Sequence, residues 1–417
     1  MKSDHPLLII SYFCGIKGNC PAEWVDDKIR AFEKAGRQLV VLTGLGSHVI
    51  DRSGVLYIRV PSLSWNDFKI EIGELRSGFE KVPLQVWLFS PVAFLIGHLV
   101  DFILRKITKG VTGGRWSWVI TAIPVALFIK LRHATGDILA TGGPTSAHIV
   151  GSVLASLFKE NLYCEFQDPI LGANMTRSRW TRVISLKIES WLIRVSKKAV
   201  FVTQAAGLAA QKRNHQFRDN IASIYPGSWN FFETLRAKKS RKYECIEFLH
   251  LGTLYGSRNL DLFFKALDDL RVEGFALANI VHVVNLGAVY CDAGKAYQAR
   301  PDFELLDALD RIQALERAQL ADCLLLIQHN DECSLETIPY KTYDYLNLEM
   351  PILGLLKNNE LAELIDSSGS LSASVDDLRS IKETLKSCLL RLTEPSLDSQ
   401  NQSIKIDISV QSLKMFE

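Results

Sequence analysis

The chain lacks an excess of charge of either sign. Its 48 Lys and Arg stand against 46 Asp and Glu, a formal net charge of +2. No global field draws it to nucleic acid, so any basic binding surface has to be local. A disulfide framework is missing as well. The 8 cysteines, Cys14, Cys20, Cys164, Cys245, Cys291, Cys323, Cys333 and Cys388, are scattered over 417 residues with no C-x-x-C pair. That pattern favours reduced thiols in a cytosolic protein. There is no i, i+4 histidine pair and no Cys/His cluster of ligand spacing, so no metal is expected. The chain also has no short repeat and no low-complexity tract. Its polar start, Met1–Pro6, runs into the apolar stretch Leu7–Ile10. That stretch is too short for the core of a signal peptide, reads as a first strand, and makes secretion unexpected.

What is present is ordinary globular composition, with 47% hydrophobic and 23% charged residues, in a chain long enough for two or three domains. Leu7–Ile10 is continuously apolar, as in a strand buried on both faces. A loop with Gly15 and Gly18 follows, and Pro21 opens a helix whose Val25, Ile29 and Phe32 share one face, with Gly36 placed to end it. Leu39–Leu42 is the next buried strand, completing a β-α-β unit of the kind that builds parallel sheets. The pattern resumes at Asp137–Ala140, Leu162–Phe166, Val200–Thr203 and Ser223–Tyr225. A basic stretch with Lys238, Lys239, Arg241 and Lys242 then suggests a boundary near residues 228–243, dividing the chain into domains 1–228 and 229–417. A second α/β series has strands at Phe248–Leu251, Val281–Leu286, Leu324–Gln328 and Pro351–Leu355, with a helix at Leu260–Leu270. The tail from Glu394 is polar and weakly patterned. The expected fold is α/β, two doubly wound Rossmann-like domains facing a cleft, with ligands outside the carboxyl ends of the strands.

One insertion, residues 83–130, departs from this pattern. Pro83–Leu104 is nearly continuous in Leu, Val, Phe and Ile and close to the ~20 residues that cross a bilayer. It also carries Gln85, Ser90, Pro91, His98 and Asp101, and a charge at mid-membrane costs about 2.5–3.5 kcal/mol. Arg105, Lys106, Lys109, Arg115, Trp116 and Trp118 follow. A basic and aromatic flank suits a helix lying at a headgroup interface, so an anionic membrane surface is the expected partner; the alternatives are a buried helix and, least favoured, a true span. A second basic stretch, Arg177, Arg179, Arg182, Lys187, Arg194, Lys197 and Lys198, is interleaved with Trp180 and Trp191. It is either a solvated helix face or an extension of that surface.

Three loops at strand ends can hold a phosphorylated ligand. Gly15-Ile16-Lys17-Gly18 precedes a helix N-terminus, where backbone N–H groups favour an anion. Thr141-Gly142-Gly143-Pro144-Thr145-Ser146 repeats the theme with hydroxyls. Gly252-Thr253-Leu254-Tyr255-Gly256-Ser257-Arg258 repeats it again, with an arginine suited to phosphate. Further on, Glu336 and Asp344 lie eight positions apart with Lys341 between them. Two ionised carboxylates can accept hydrogen bonds from a ribose or sugar diol, and Lys341 can neutralise phosphate. Equally, this is a polar loop with a carboxylate favoured by a helix N-terminus.

Taken in order, several stretches resemble a known family. They are Pro21-Ala22-Glu23-Trp24, Thr141–His148, Glu165-Phe166-Gln167-Asp168-Pro169, Tyr225-Pro226-Gly227, His250–Gly256 and Glu336–Leu346. Together they resemble the retaining family 4 glycosyltransferases of the GT-B fold. The resemblance implies a nucleotide-sugar donor bound by the C-terminal half. Gly15, Gly18, Gly252, Thr253, Arg258, Lys341 and Asp344 fall on the donor side, and Gly143, Thr145 and His148 on the acceptor side. It implies that Arg258 contacts the donor diphosphate, that Asp344 replaces the Glu that holds the ribose, and that Glu336 faces the donor sugar. Thr337, Ile338 and Pro339 replace the usual glycines after Glu336. The family's catalytic-site position, commonly His, is Gln167 beside Asp168. Gln is no general base, which fits retention with leaving phosphate taking the acceptor proton. A metal-independent transfer to a lipid-linked or membrane-proximal glycan acceptor is expected, in cell-surface polysaccharide or glycan assembly, at the inner face of the cell membrane. The alternatives are a sugar-nucleotide epimerase or hydrolase of the same fold, and a non-catalytic sugar-nucleotide-binding subunit.

Overall fold

The computed structural model describes residues 5–16, 18–47, 54–77, 90–108, 115–172, 178–232, 244–393 and 404–417. Lys17, residues 83–89, Lys109, Arg177 and the basic stretch 238–242 lie outside the described residues. The chain forms two compact units, Met1–Pro226 with Ile408–Glu417, and Gly227–Asp407.

The first unit is a seven-stranded sheet in the order β3-β2-β1-β4-β5-β6-β7. Its strands are β1 (Leu7–Ile10), β2 (Leu39–Gly44), β3 (Val55–Val60), β4 (Ile138–Ala140), β5 (Leu162–Phe166), β6 (Lys198–Phe201) and β7 (Ile221–Ser223). All neighbours pair in parallel, with Leu8 opposite both Val40 and Ile138. Helices α1 (Cys20–Lys34), α2 (Trp65–Ser77), α3 (Ser90–Thr108), α4 (Trp116–His133), α5 (Thr145–Phe158), α6 (Arg179–Val195) and α7 (Gln204–Arg213) connect them. The strands β1, β2, β4 and β5 are buried along their whole length. β1 and β4 therefore read as unbroken apolar runs, and β2 and β5 as apolar runs interrupted by Thr43 and Glu165, since parallel sheets are covered on both faces.

The second unit is a six-stranded parallel sheet in the order β10-β9-β8-β11-β12-β13. Its strands are β8 (Ile246–Leu251), β9 (Val281–Leu286), β10 (Phe303–Leu306), β11 (Cys323–Ile327), β12 (Ile352–Leu356) and β13 (Leu371–Ser374). Helices α8 (Asp261–Val272), α9 (Gly294–Gln298), α10 (Arg311–Ala318), α11 (Lys341–Asn347), α12 (Asn359–Ser367) and α13 (Leu378–Thr393) accompany them. The core gathers Phe248, Phe263, Leu325, Leu353 and Leu385, all fully buried. In each unit the strand order reverses beside the first strand, at β1/β4 and at β8/β11, and such switch points are where open α/β sheets bind ligands.

The expected assignment of the whole tail to the second domain is corrected. A last helix, α14 (Ile408–Lys414), packs on α1 of the first unit. Met415 is fully buried against Val25, Phe32 and Tyr163, and the Phe416 ring meets Phe32 at 5.5 Å and Tyr163 at 4.4 Å. Fully burying the Met415 side chain contributes roughly 1.5–3 kcal/mol, and the half-buried Phe416 adds to it.

The insertion divides in two. One side of helix α4, with Trp118, Ala122, Ala126 and Ile129, belongs to the core, while Phe128 and Leu131 are exposed. Trp118 is fully buried and donates its indole N–H to the Val60 carbonyl at 3.0 Å. Trp116 and Trp118 are therefore not the headgroup anchors that were expected. Arg105 and Arg115 are also engaged inwardly, both on the buried Asp67, with Arg105 on Asp101 too. Helix α3 behaves differently. Gly97 approaches Leu63 so closely that an added Cβ would lie 2.0 Å from the Leu63 Cβ, and Asp101 accepts the Ser117 N–H at 3.3 Å. These residues bind the helix by its polar side and leave Leu95, Ile96, Leu99, Phe102 and Ile103 outward, with Leu95 77% and Phe102 51% exposed. No helix of the described residues is long and apolar enough to cross a membrane.

Candidate functional site

At the β1/β4 switch point of the first unit, three loops lie side by side, because β1, β4 and β5 are neighbours. The expected phosphate cradle at Gly15 and Gly18 is already occupied by the protein's own acids. The Gly15 N–H donates to both carboxylate oxygens of Asp26 at 3.0 Å, and the Gly18 N–H to Glu23 at 3.1 Å. Asn19 caps α1 by accepting the Ala22 N–H at 3.1 Å. An anion arriving there would meet these carboxylates, so donor binding at Gly15 and Gly18 would first require Asp26 and Glu23 to give way.

Gly143, Pro21 and Gln167 do come together. A Cβ on Gly143 would lie 4.0 Å from Pro21, and the Gln167 amide donates to the Pro21 carbonyl at 3.5 Å. Asp168, next in sequence, opens to solvent. Most of its surroundings are nevertheless protein, and that partial desolvation raises its carboxyl pKa. Thr145 and His148 are buried instead. His148 stacks on Phe166 at 4.8 Å and its Nε2 lies 2.8 Å from the Glu165 carbonyl. Burial presses its pKa down, so it stays neutral. It supports β5 from behind, and an acceptor contact is not open to it.

Sequence reasoning missed what sets this edge. Glu165 and Lys28 form an ion pair at 2.8 Å, with side chains 1% and 2% exposed, and the Thr141 hydroxyl donates to the same carboxylate at 2.5 Å. One buried charge pair thus ties α1 to β5, two residues before Gln167, and Thr141 joins the segment after β4 to it. Breaking such a pair by removing one partner costs about 3–5 kcal/mol. Glu71 was missed too. It accepts the Ser62 N–H at 3.0 Å and the Tyr12 hydroxyl, and burial pushes its carboxyl up to about 8.

At the β8/β11 switch point of the second unit the arrangement is cationic. The loop after β8 starts at Gly252 with φ +118°. Its close neighbour Gly287, φ +133°, would place a Cβ 2.7 Å from the Gly252 carbonyl oxygen, so both positions require glycine. Gly252 is exposed and Thr253 half-buried. The Arg258 guanidinium lies 5.3 Å from the Tyr255 ring, and its Nε is buried with no hydrogen-bond partner among the described residues. Ser257 reaches across to His329 after β11, hydroxyl to Nδ1 at 3.3 Å, and accepts the Asn330 N–H at 3.0 Å. Burial and Arg258 lower the His329 pKa, which keeps the imidazole neutral.

Gln328, at the end of β11, pins the Glu336 segment. Its carbonyl accepts the Lys357 and Asn358 N–H groups at 2.9 and 3.0 Å, and its amide donates to the Thr337 carbonyl at 2.9 Å. The Asn358 amide adds a bond to the Leu335 carbonyl at 2.9 Å. Glu336 closes a short 3-10 turn, Glu332–Glu336, capped by Asp331. Lys341 starts α11 and bonds His250 Nε2 at 2.7 Å and the Leu251 carbonyl at 2.8 Å.

Asp344 departs from expectation. Its carboxylate accepts Arg311 Nε at 3.0 Å and Nη2 at 2.6 Å, together with the Ser228 hydroxyl. Arg311 is itself held between the rings of Phe231 at 5.0 Å and Tyr340 at 4.8 Å. A carboxylate offers about four acceptor positions, and three are taken. A ribose diol would have to share the remaining one or displace the Ser228 hydroxyl. Asp344 clamps α11 to α10 and to the segment at Ser228.

This architecture, two doubly wound parallel sheets each with its switch point beside the first strand, is that of the two-domain GT-B glycosyltransferase fold. Sucrose-phosphate synthase of Thermosynechococcus elongatus aligns at a TM-score of 0.64 and 11% identity, covering 99% of this chain and 97% of that one. HepE of Anabaena, solved with UDP and glucose, aligns at 0.59 and 10% identity over 99% and 98%. WaaG, a glycosyltransferase of lipopolysaccharide biosynthesis, aligns at 0.55 and 12% identity over 98% and 97%. No family model matches the chain, and no curated protein matches it in sequence.

Proposed function

We propose that the protein is a glycosyltransferase that moves a sugar from a nucleotide-sugar donor to a lipid-linked or membrane-proximal glycan acceptor, with retention, in cell-surface glycan assembly. The observation that carries this reading is the cationic glycine loop at the β8/β11 switch point, in a fold shared end to end with UDP-binding neighbours. Arg258, whose Nε has no hydrogen-bond partner among the described residues, and Lys341 hold the donor diphosphate beside the Gly252–Thr253 backbone and stabilise the charge that grows on it as the glycosidic bond breaks. Two side-chain cations do this work without a metal. Glu336 orients the donor sugar. On the acceptor side, Gly143, Gln167 and Asp168 receive the incoming hydroxyl. Gln167 offers no base, so the leaving phosphate takes the proton on the face it departs from.

The same reading places the protein in the cytoplasm at an anionic membrane. The outward apolar face of α3 supports this, together with the exposed Lys106 and the exposed Arg179, Trp180, Arg182, Val183 and Lys187 of α6, a helix in contact with α3. Apolar area with basic neighbours is what binds an anionic lipid interface.

Donor Kd by calorimetry beside turnover tests the site. Arg258→Ala should lose both, and Glu336→Ala should lower kcat more than donor affinity. Full turnover in both variants refutes the assignment. Conversion of the donor sugar without any acceptor would instead mark an epimerase or hydrolase.

A further inference from the structure

Lys341 is held by a hydrogen-bond chain that runs through two fully buried side chains. His250, on β8, and Asn285, on β9, are both 0% exposed. The His250 Nδ1 lies 2.7 Å from the Asn285 Oδ1, and the His250 Nε2 lies 2.7 Å from the Lys341 Nζ. The direction of every bond follows from the donor inventory. An ammonium only donates, so Nε2 accepts from Lys341. The ring proton then sits on Nδ1 and is donated to the Asn285 carbonyl oxygen. That amide's orientation is set separately, since its Nδ2 donates to the Gly287 carbonyl at 2.8 Å.

Burial, and then the Lys341 charge, press the His250 pKa well below its ordinary value, so the imidazole stays an acceptor at neutral pH. It supplies that acceptor without supplying a negative charge. The Leu251 carbonyl takes a second Lys341 proton at 2.8 Å. A free lysine side chain is rich in rotamer entropy, and here the folded protein has already fixed the head group. The head group lies against the exposed Gly252, where an added Cβ would come within 3.9 Å of Nζ.

We propose that His250 and Asn285 are positioning residues that fix the Lys341 ammonium as a diphosphate-binding cation. This rests on the nucleotide-sugar reading above. A tie whose only purpose was structural would act on the whole fold, whereas this one acts through the phosphates.

The test uses the full chain and calorimetry with the tightest of UDP, GDP, dTDP and ADP, beside the matching nucleoside. His250→Leu should weaken diphosphate binding roughly tenfold or more, the scale of one charged hydrogen bond, and leave nucleoside binding unchanged. His250→Gln, which returns an acceptor near the position of Nε2, should recover most of the loss. In a Lys341→Met background, His250→Leu should weaken binding no further. If His250→Leu does not fold, Asn285→Ser carries the test, with a loss of diphosphate affinity in the wild-type background and none in Lys341→Met. Equal loss for nucleoside and diphosphate, no loss at all, or additivity with Lys341→Met overturns the proposal. Failure of the unaltered protein to bind any of the four nucleotides counts against the donor reading instead.

Discussion

Replacing Asp344 separates a clamp from a ribose ligand. In Asp344→Ala, Arg311 keeps its aromatic neighbours Phe231 and Tyr340 but loses the carboxylate that takes two of its N–H groups. Both side chains are largely buried, at 14% and 6% exposure. Removing one partner of a buried pair costs about 3–5 kcal/mol, and the remaining cation–π contacts put the value near the lower end, ~3 kcal/mol. For a unit of this size that lowers Tm by roughly 6–12 °C. The double variant Asp344→Leu with Arg311→Met removes both charges and should recover most of the loss, because an apolar pair of similar volume is often neutral. Differential scanning calorimetry of the two variants, with donor titrations beside it, reads both effects. A ribose ligand gives the opposite pattern, an unchanged Tm with donor affinity reduced roughly 10- to 150-fold, and that result would refute the clamp.

Two further outcomes follow from the first unit. Glu71 is protonated more readily folded than unfolded, with its carboxyl near 8 against an ordinary 4.5. Below about pH 4.5 both states hold the proton and no penalty arises; between about 4.5 and 8 the unfolded state releases it, and stability falls by up to ~1.4 kcal/mol per pH unit. Glu71→Gln should flatten that slope in urea melts from pH 5 to 8, and parallel slopes in the two proteins would remove the argument. For α3, wild-type protein should co-float with anionic liposomes, and Leu99→Glu with Phe102→Glu should lose most of that binding while keeping Tm. Equal flotation of the variant would sink the interfacial reading.

The sequence was legible where strands are buried on both faces. Leu7–Ile10 and Leu39–Leu42 stand out as apolar runs, Leu162–Phe166 and Val281–Leu286 as mostly apolar ones, and each is or lies in a strand. The strands it hid are the sheet edges. Val55–Val60, Phe303–Leu306 and Leu371–Ser374 carry half-exposed or polar residues, and Ser223–Tyr225 was placed two residues late for the strand Ile221–Ser223. An edge strand has one solvated flank and a weaker apolar signature. Within the candidate site, glycines and charged residues at strand ends were visible, but their partners were not. Asp26 fills the Gly15 loop, and Arg311 fills Asp344, through contacts between residues 11 and 33 positions apart. Spacing along the chain carries no record of which acid meets which donor. The apolar insertion misled for a related reason. Trp118 and Leu95 look alike in a hydrophobic run, yet one is fully buried and the other faces outward.

The central claim is that the second unit binds a nucleotide sugar through Arg258. The most direct measurement is a thermal-shift panel of UDP-, GDP-, dTDP- and ADP-sugars against the wild type and Arg258→Ala. A donor present at 100 times its Kd adds about 2.7 kcal/mol of stability, several degrees in Tm. The expected result is such a shift for sugars of one base in the wild type and its loss in Arg258→Ala. No shift with any donor, or an equal shift in the variant, would contradict it.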